Sequence, residues 1–333
     1  MSSNAFVHPG TVIGLLDIKQ SMPGVAKLQK ETEVWRSKHR QESFSRALQC
    51  VDIGANGIGQ GHDEFTGDTM QAYRYTLLFL ATGNTVYAKN AVDIIKDWCD
   101  TCTIFTGSNA PLECAWGGTA MVRAAELLKW KWVPGWKDSN VETSLRKFVG
   151  IIMIPCLMCR YGEISRWNNN WILTIHECLL QIYIFLDDRT NFEWVVSEYR
   201  RIAPLTFANV ATGKNTECER DIIHAQFQLH SHIQICEMTM HQEIVLYTPL
   251  IARSCEYIAS IINGKVPSDI QKSSIKDAWF MPGAWEIAFN HYTRRSKLNM
   301  PETHAMLSKP KRRPEGMSFN WGPGWPFESS LKK

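Results

Sequence analysis

Asp68-Thr69-Met70-Gln71-Ala72-Tyr73-Arg74-Tyr75-Thr76-Leu77-Leu78-Phe79-Leu80-Ala81-Thr82-Gly83-Asn84-Thr85 carries the punctuation of a helical hairpin. Asp68 is an acidic N-cap candidate, apolar residues follow at helical spacing, Gly83 closes the run and Asn84-Thr85 opens the next. The spacing predicts helices over 68–82 and 85–101. Outward from this pair the same period predicts helices over 24–48, 115–129, 141–159, 170–186, 190–203, 218–239 and 243–263. Strand-like alternation is scarce before the last quarter, and no fixed-period signature of an open helical array recurs. The expected fold is therefore mainly α, an incomplete (α/α) toroid built from helical hairpins, in a single domain over 1–333. From residue 264 the texture turns to Gly, Pro, Trp and basic residues. This loop-rich part, 264–333, is expected either to close a cleft or to end as a solvated tail through Lys309-Pro310-Lys311-Arg312-Arg313.

Hydrophobic residues at 44% and charged residues at 21% exclude a disordered chain, a collagen or a coiled coil. Thirty-six basic against 33 acidic residues leave a net charge of +3, too balanced for a nucleic-acid binder, so a functional charge has to be focused locally. The longest apolar-rich stretch, Trp171 to Leu186, is interrupted by Thr174, His176, Glu177 and Gln181, and a membrane span is not expected. The opening residues lack the apolar run of a signal peptide; the expectation is a secreted, mature form, with the cytoplasm as the alternative. Among the ten cysteines, Cys99/Cys102 and Cys156/Cys159 have CxxC spacing. Their apolar, helix-like surroundings favour buried thiols or occasional disulfides over zinc, and neither a metal nor a cofactor is expected.

Three clusters could carry chemistry. Arg166-Trp167-Asn168-Asn169-Asn170-Trp171 places three amides before an apolar helix. One Asn serves as a cap; three in a row exceed that need and suit a bound carboxylate, on which amide donors and the helix dipole act together. Glu217-Cys218-Glu219-Arg220-Asp221-Ile222-Ile223-His224-Ala225-Gln226 places Arg220 and His224 four apart, on one face if the segment is helical. A cation and an imidazole there could hold an anion and remove a nearby proton, although His224 taken alone reads better as a satisfied core histidine. In Trp285 to Arg295, Tyr292 could exchange a proton and Arg294 could pair with a carboxylate; aromatic packing with surface arginines is the alternative.

In order along the chain, these clusters resemble the alginate lyase superfamily of polysaccharide lyases. The resemblance is carried also by Phe6-Val7-His8-Pro9-Gly10, by the hairpin ending Ala81-Thr82-Gly83-Asn84, and by Ala115-Trp116-Gly117-Gly118 with Ala124-Ala125-Glu126-Leu127-Leu128. Phe185-Leu186-Asp187-Asp188-Arg189 and Arg313-Pro314-Glu315-Gly316 complete it. The chain is most similar to the branch of glucuronan and alginate lyases, family thirty-eight. Family-five enzymes carry Asn-Asn-His in place of Asn168-Asn169-Asn170 and Tyr at the position of Phe227. The resemblance implies an α/α toroid that cleaves an acidic, uronic-acid-containing polysaccharide by β-elimination. It implies His224 and Tyr292 in proton transfer, supported by Arg220 and Asn170. Asn168, Asn169, Gln226, Arg294 and one or more of Trp116, Trp167 and Trp171 would hold the sugar, the tryptophans reading otherwise as core.

Elimination removes the C5 proton of a uronate, which is barely acidic while the adjoining carboxylate keeps its full charge. Amides and a guanidinium on that carboxylate stabilise the enolate-like charge as it develops. A base takes the proton and an acid protonates the departing O4. In mannuronate and glucuronate these lie on one side of the ring, so one group can serve twice; in guluronate they are opposed. The competing readings are a glycoside hydrolase using carboxylates among Asp63, Glu64, Asp187 and Asp188, and a non-catalytic binder of acidic carbohydrate on the same fold.

Overall fold

The structure, a computed structural model, describes residues 5–8, 22–39, 46–270, 275 and 282–308. The described chain divides into two units, one holding residues up to Arg160 with Gln181–Phe192, the other Tyr161–Leu180 and Glu193 onward. Pro9, Gly10 and Arg313-Pro314-Glu315-Gly316 lie outside the described residues.

In the first unit α1 (Met22–His39) precedes β1 (Cys50–Ile53), which pairs antiparallel with β2 (Gly59–Gln60) and parallel with β3 (Ile104–Thr106). The helix expected over 24–48 thus ends early. Val51 and Ile53 are buried while Asp52 between them is exposed, the two-residue period of a strand. Next come α2 (His62–Thr82), α3 (Thr85–Thr101) and α4 (Ala110–Lys131). The short helices α5 (Val133–Asp138), α6 (Val141–Phe148) and α7 (Ile154–Met158) follow, with a π-helical turn at Val149–Met153. The hairpin forms as its punctuation dictates. Gly83 takes φ +73°, where a side chain would be strained, and donates its N–H to Phe79 O at 2.7 Å, while Asn84 Oδ1 accepts from Val86 N at 3.0 Å. Helix α4 crosses close to α2 because Gly117 leaves room for the Phe65 ring: a Cβ there would lie 2.4 Å from Phe65 Cε1.

Asp68 does not cap α2, which starts six residues earlier behind Gly61. It is 0% exposed, and its carboxylate accepts from Arg46 N (2.7 Å), Arg46 Nε (3.0 Å) and Trp98 Nε1 (3.0 Å). A buried carboxylate is stable only with such donors. Replacing Asp68 with Ala removes these three hydrogen bonds at once and takes the acceptor from the buried Trp98 indole, and we expect a loss of about 3–5 kcal/mol in denaturant-induced unfolding.

His8 joins this unit through Glu126 (Nδ1 to Oε1, 2.8 Å) and Asp187 (Nε2 to Oδ1, 2.9 Å). The Glu126 hydrogen bond raises its pKa, the Glu126 and Asp187 charges add to this, and burial opposes it. A raised native pKa means that the stabilisation is complete below the unfolded value of about 6.5 and is lost as pH climbs through the native value. The melting temperature should therefore fall on the alkaline side of about pH 6.5, and His8→Gln should flatten part of that slope in a series of thermal melts.

In the second unit α8 (Tyr161–Ile164) leads into α9 (Asn170–Leu186), whose first part to Leu180 belongs here, and α10 (Arg189–Ile202) joins from Glu193. A 3-10 turn at Ala203–Thr206, the hairpin of β4 (Phe207–Asn209) and β5 (Lys214–Asn215), and a second 3-10 turn at Thr216–Glu219 follow. Then come α11 (Ile222–Met240), α12 (Pro249–Ile262), α13 (Pro282–Asn290) continued by a π-helical His291–Arg295, and α14 (Pro301–Leu307). Leu229, Ile233 and Cys236 of α11, Cys255 and Ile258 of α12 and Trp285 and Ala288 of α13 are fully buried. The helix expected over 243–263 starts instead at Pro249, whose fixed φ suits a first turn. The part from 264 onward, expected to be loop-rich, contains two helices among its described residues. Among the described residues no helix is long and apolar enough to cross a membrane.

Candidate functional site

The three asparagines at the start of α9 are used in different ways. Asn168 sits at φ +50°, a left-handed conformation that Asn tolerates, and its carbonyl accepts from Thr216 Oγ1 at 2.9 Å. Asn169 Oδ1 accepts from Trp171 N at 3.1 Å, the capping role. Asn170 is 1% exposed; its N–H donates to Glu217 Oε1 at 3.4 Å, its carbonyl accepts from Thr174 Oγ1 at 2.9 Å, and its Oδ1 has no hydrogen-bond partner among the described residues. An unsatisfied buried amide oxygen is costly, which marks the Asn170 side chain as one with an unspent acceptor.

The facing segment comes from the β4–β5 hairpin. Asn215 Nδ2 donates to Ala225 O at 2.9 Å, which turns the chain through the Thr216–Glu219 turn into α11. Thr216 Oγ1 also lies 3.0 Å from Gln228 Oε1, so this one hydroxyl connects the asparagine turn to α11. Helix α11 starts only at Ile222, so Arg220 precedes it and does not share a helical face with His224. They are neighbours through Asp221 instead: Arg220 Nε lies 3.8 Å and His224 Nδ1 2.7 Å from the same oxygen, Asp221 Oδ2. The side chains of Arg220, Asp221 and His224 are 53%, 30% and 27% exposed, against 6% for Glu217, whose Oε2 lies 3.9 Å from Arg220 Nη1. The Phe227 ring meets the His224 imidazole edge to face at 5.6 Å. His224 Nε2 makes no hydrogen bond among the described residues.

The structure therefore brings together Asn168, Asn169, Asn170, Arg220 and His224, with Trp167 (38% exposed) and Trp171 edge to face at 5.2 Å beside the asparagines. Two residues missing from the expected set join them, Glu217 and Asp221. Their signal was present in the sequence, an acid three residues before His224 at a helix start and a second acid ahead of it. Gln226 is fully buried on α11, and Trp116 lies half-buried on α4 in the first unit.

Tyr292 is not brought to this cluster. It is 4% exposed, its hydroxyl donates to Thr248 O at 2.6 Å, and its neighbours include Tyr247, Cys236 and Cys255. Cys236 follows His224 on α11 by twelve residues, about 18 Å along a helix. Burial drives the Tyr292 phenol far above its ordinary range, so it is neither a ready acid nor a partner of His224. Arg294 is exposed, and it is Arg295 that reaches Glu237. Elsewhere in this unit His232 is a structural histidine. Thr206 Oγ1 donates to Ala203 O, so it accepts from His232 Nε2 (2.8 Å), and Nδ1 in turn takes the Tyr199 hydroxyl (2.8 Å). Burial lowers this imidazole to about 3. Among the described residues no group of three or more His, Cys, Asp or Glu is arranged to hold a metal, and all ten cysteines are free thiols.

No protein-family model matches the sequence, and no curated protein matches it. Solved structures do. Alginate lyase A1-III from Sphingomonas species A1 is 14% identical and superposes with a TM-score of 0.56 over 82% of this chain and 80% of that one. A variant of A1-III complexed with a tetrasaccharide is 15% identical, with a TM-score of 0.58 over 92% of this chain and 100% of that one. An alginate lyase from Bacteroides ovatus is 14% identical, with a TM-score of 0.59 over 93% of each chain. At such identities the likeness shows the fold: the mainly α class of (α/α) toroids to which alginate lyases belong.

The geometry makes Tyr292 a packing residue. Tyr292→Phe removes one buried hydrogen bond, and we expect about 1–2 kcal/mol of lost stability on denaturant titration, with the His224 imidazole resonances unmoved in NMR spectra.

Proposed function

We propose that this chain is a polysaccharide lyase of the glucuronan and alginate lyase branch, cleaving a uronic-acid polymer by β-elimination to leave a 4,5-unsaturated uronate end. The observation that carries this reading is the meeting of the Asn168–Asn170 turn with Glu217, Arg220, Asp221 and His224. The fold held in common with alginate lyases, one of them in complex with a tetrasaccharide, supports it.

In this reading the substrate carboxylate sits against the Asn170 amide and the Arg220 guanidinium. Arg220 is half exposed and only loosely paired, at 3.8–3.9 Å, so it keeps donors to give. Both groups act more strongly on the enolate-like transition state than on the ground state, which is where acceleration comes from. His224 Nε2 takes the C5 proton. With Tyr292 engaged elsewhere, the protonated imidazole is also the group at hand to protonate O4 as the glycosidic bond breaks. One group serving twice requires C5–H and O4 on the same side of the ring, so the substrates are polymannuronate or glucuronan rather than polyguluronate. Trp167 and Trp171 would pack against sugar rings, and neither Tyr292 nor Arg294 has a part in the chemistry.

Incubation with polymannuronate, glucuronan and polyguluronate, followed by the ultraviolet absorbance of the new conjugated double bond, tests this. Product is expected from one of the first two and little from the third, with His224→Ala lowering kcat by about 100- to 10,000-fold. Binding without unsaturated product from any polymer would make the protein a carbohydrate-binding relative that lacks the chemistry. Unchanged turnover by His224→Ala would remove that residue from the mechanism.

A further inference from the structure

We propose that Asp221 is a positioning residue that fixes the tautomer and the orientation of His224, so that Nε2 presents a lone pair outward. The kinetic part of this inference rests on the lyase reading; the tautomer itself does not.

Asp221 uses both carboxylate oxygens on one residue. Oδ1 accepts the backbone N–H of His224 at 2.8 Å, and Oδ2 lies 2.7 Å from Nδ1 of the same histidine. The first bond is the N-cap of α11, and it sets the carboxylate relative to the helix before the ring is considered. The second then decides the ring. An ionised carboxylate accepts only, so Nδ1 has to carry the hydrogen and the neutral imidazole keeps its lone pair on Nε2. Arg220 Nε approaches the same oxygen at 3.8 Å, beyond hydrogen-bonding reach, so the imidazole holds the short contact. The Phe227 ring, one turn along α11, meets the imidazole edge to face at 5.6 Å and limits its rotation. The layout is that of a capping box, in which the N3 side chain turns back to the cap, except that the N3 residue is a histidine and the cap is a carboxylate. Both side chains remain partly exposed, 30% for Asp221 and 27% for His224, so the arrangement orients a group that solvent or a ligand can reach.

A simple helix cap would explain the Oδ1 bond and leave the ring contact incidental. Asp221→Asn separates the two roles, because Asn caps about as well as Asp. A single amide oxygen, however, does not serve both donors, and the amide N–H group facing Nδ1 favours the opposite tautomer. In the full-length protein labelled with nitrogen-15 histidine, long-range proton–nitrogen NMR at a pH above the histidine range should show His224 as the Nδ1–H form. In Asp221→Asn it should move toward Nε2–H at an unchanged melting temperature. On the polymer that the native protein cleaves best, kcat should fall by about 100-fold or more, the scale of a wrong tautomer behind a general base, with KM within about twofold. An Nε2–H tautomer in the native protein overturns the proposal, as does wild-type kcat in Asp221→Asn. Should the native protein cleave no uronate polymer, the lyase reading fails while the tautomer measurement still decides the role of Asp221.

Discussion

A carboxylate that receives a backbone N–H on one oxygen and a side-chain donor on the other organises both units of this protein. In the first unit it is Asp68, fully buried, taking Arg46 N and Trp98 Nε1 on one oxygen and Arg46 Nε on the other. Those bonds tie the chain before β1 to α2 and α3, and they let an ionisable group sit where the Phe65, Trp98 and Phe105 rings pack edge to face. Without them the interior of the hairpin would hold an unpaired charge, which costs more than any one apolar contact there contributes.

The second unit repeats the arrangement with a different outcome, because burial differs. Asp221 is partly exposed, its backbone donor is a helix cap and its side-chain donor is an imidazole whose far nitrogen has no partner among the described residues. His232 on the same helix shows the contrast. Both of its nitrogens are engaged, by Thr206 and Tyr199, and burial keeps it neutral down to about pH 3, which suits a packing element and disqualifies it as a proton carrier. Two histidines eight residues apart on one helix thus have opposite uses. What separates them is whether the second nitrogen is closed off by a partner.

The same distinction sorts the aromatic residues. Tyr292 has a hydroxyl, the chemical requirement for an acid, yet that hydroxyl is spent on a backbone carbonyl in an apolar setting. Trp167 keeps part of its face exposed beside the asparagine turn. The lyase proposed here rests on few groups: an amide, a guanidinium and one imidazole. That economy bears on stereochemistry, since a single proton carrier suits only the substrates whose proton and leaving oxygen share a side.

Local interactions were legible in the sequence. Gly83 and Asn84 closed one helix and opened the next as read, because a left-handed glycine and an Asn cap act within a few residues of themselves. The asparagine run and the acid three residues before His224 were equally visible, one as more amides than a cap needs, the other as a spacing. The local pattern offers Asp68 as a cap, but its donors, Arg46 and Trp98, lie 22 and 30 residues away, where no local pattern reports them. The place of Tyr292 is hidden for the same reason: whether it meets the His224 turn of α11 or the Cys236 turn depends on how α13 packs along that helix. The sequence alone determined that most of the chain is helical, where the α2–α3 hairpin turns, and which side chains had the chemistry to act. Tertiary packing decided which of them keep an unspent hydrogen-bonding group within reach of solvent, because burial and distant partners consume such groups irrespective of spacing along the chain.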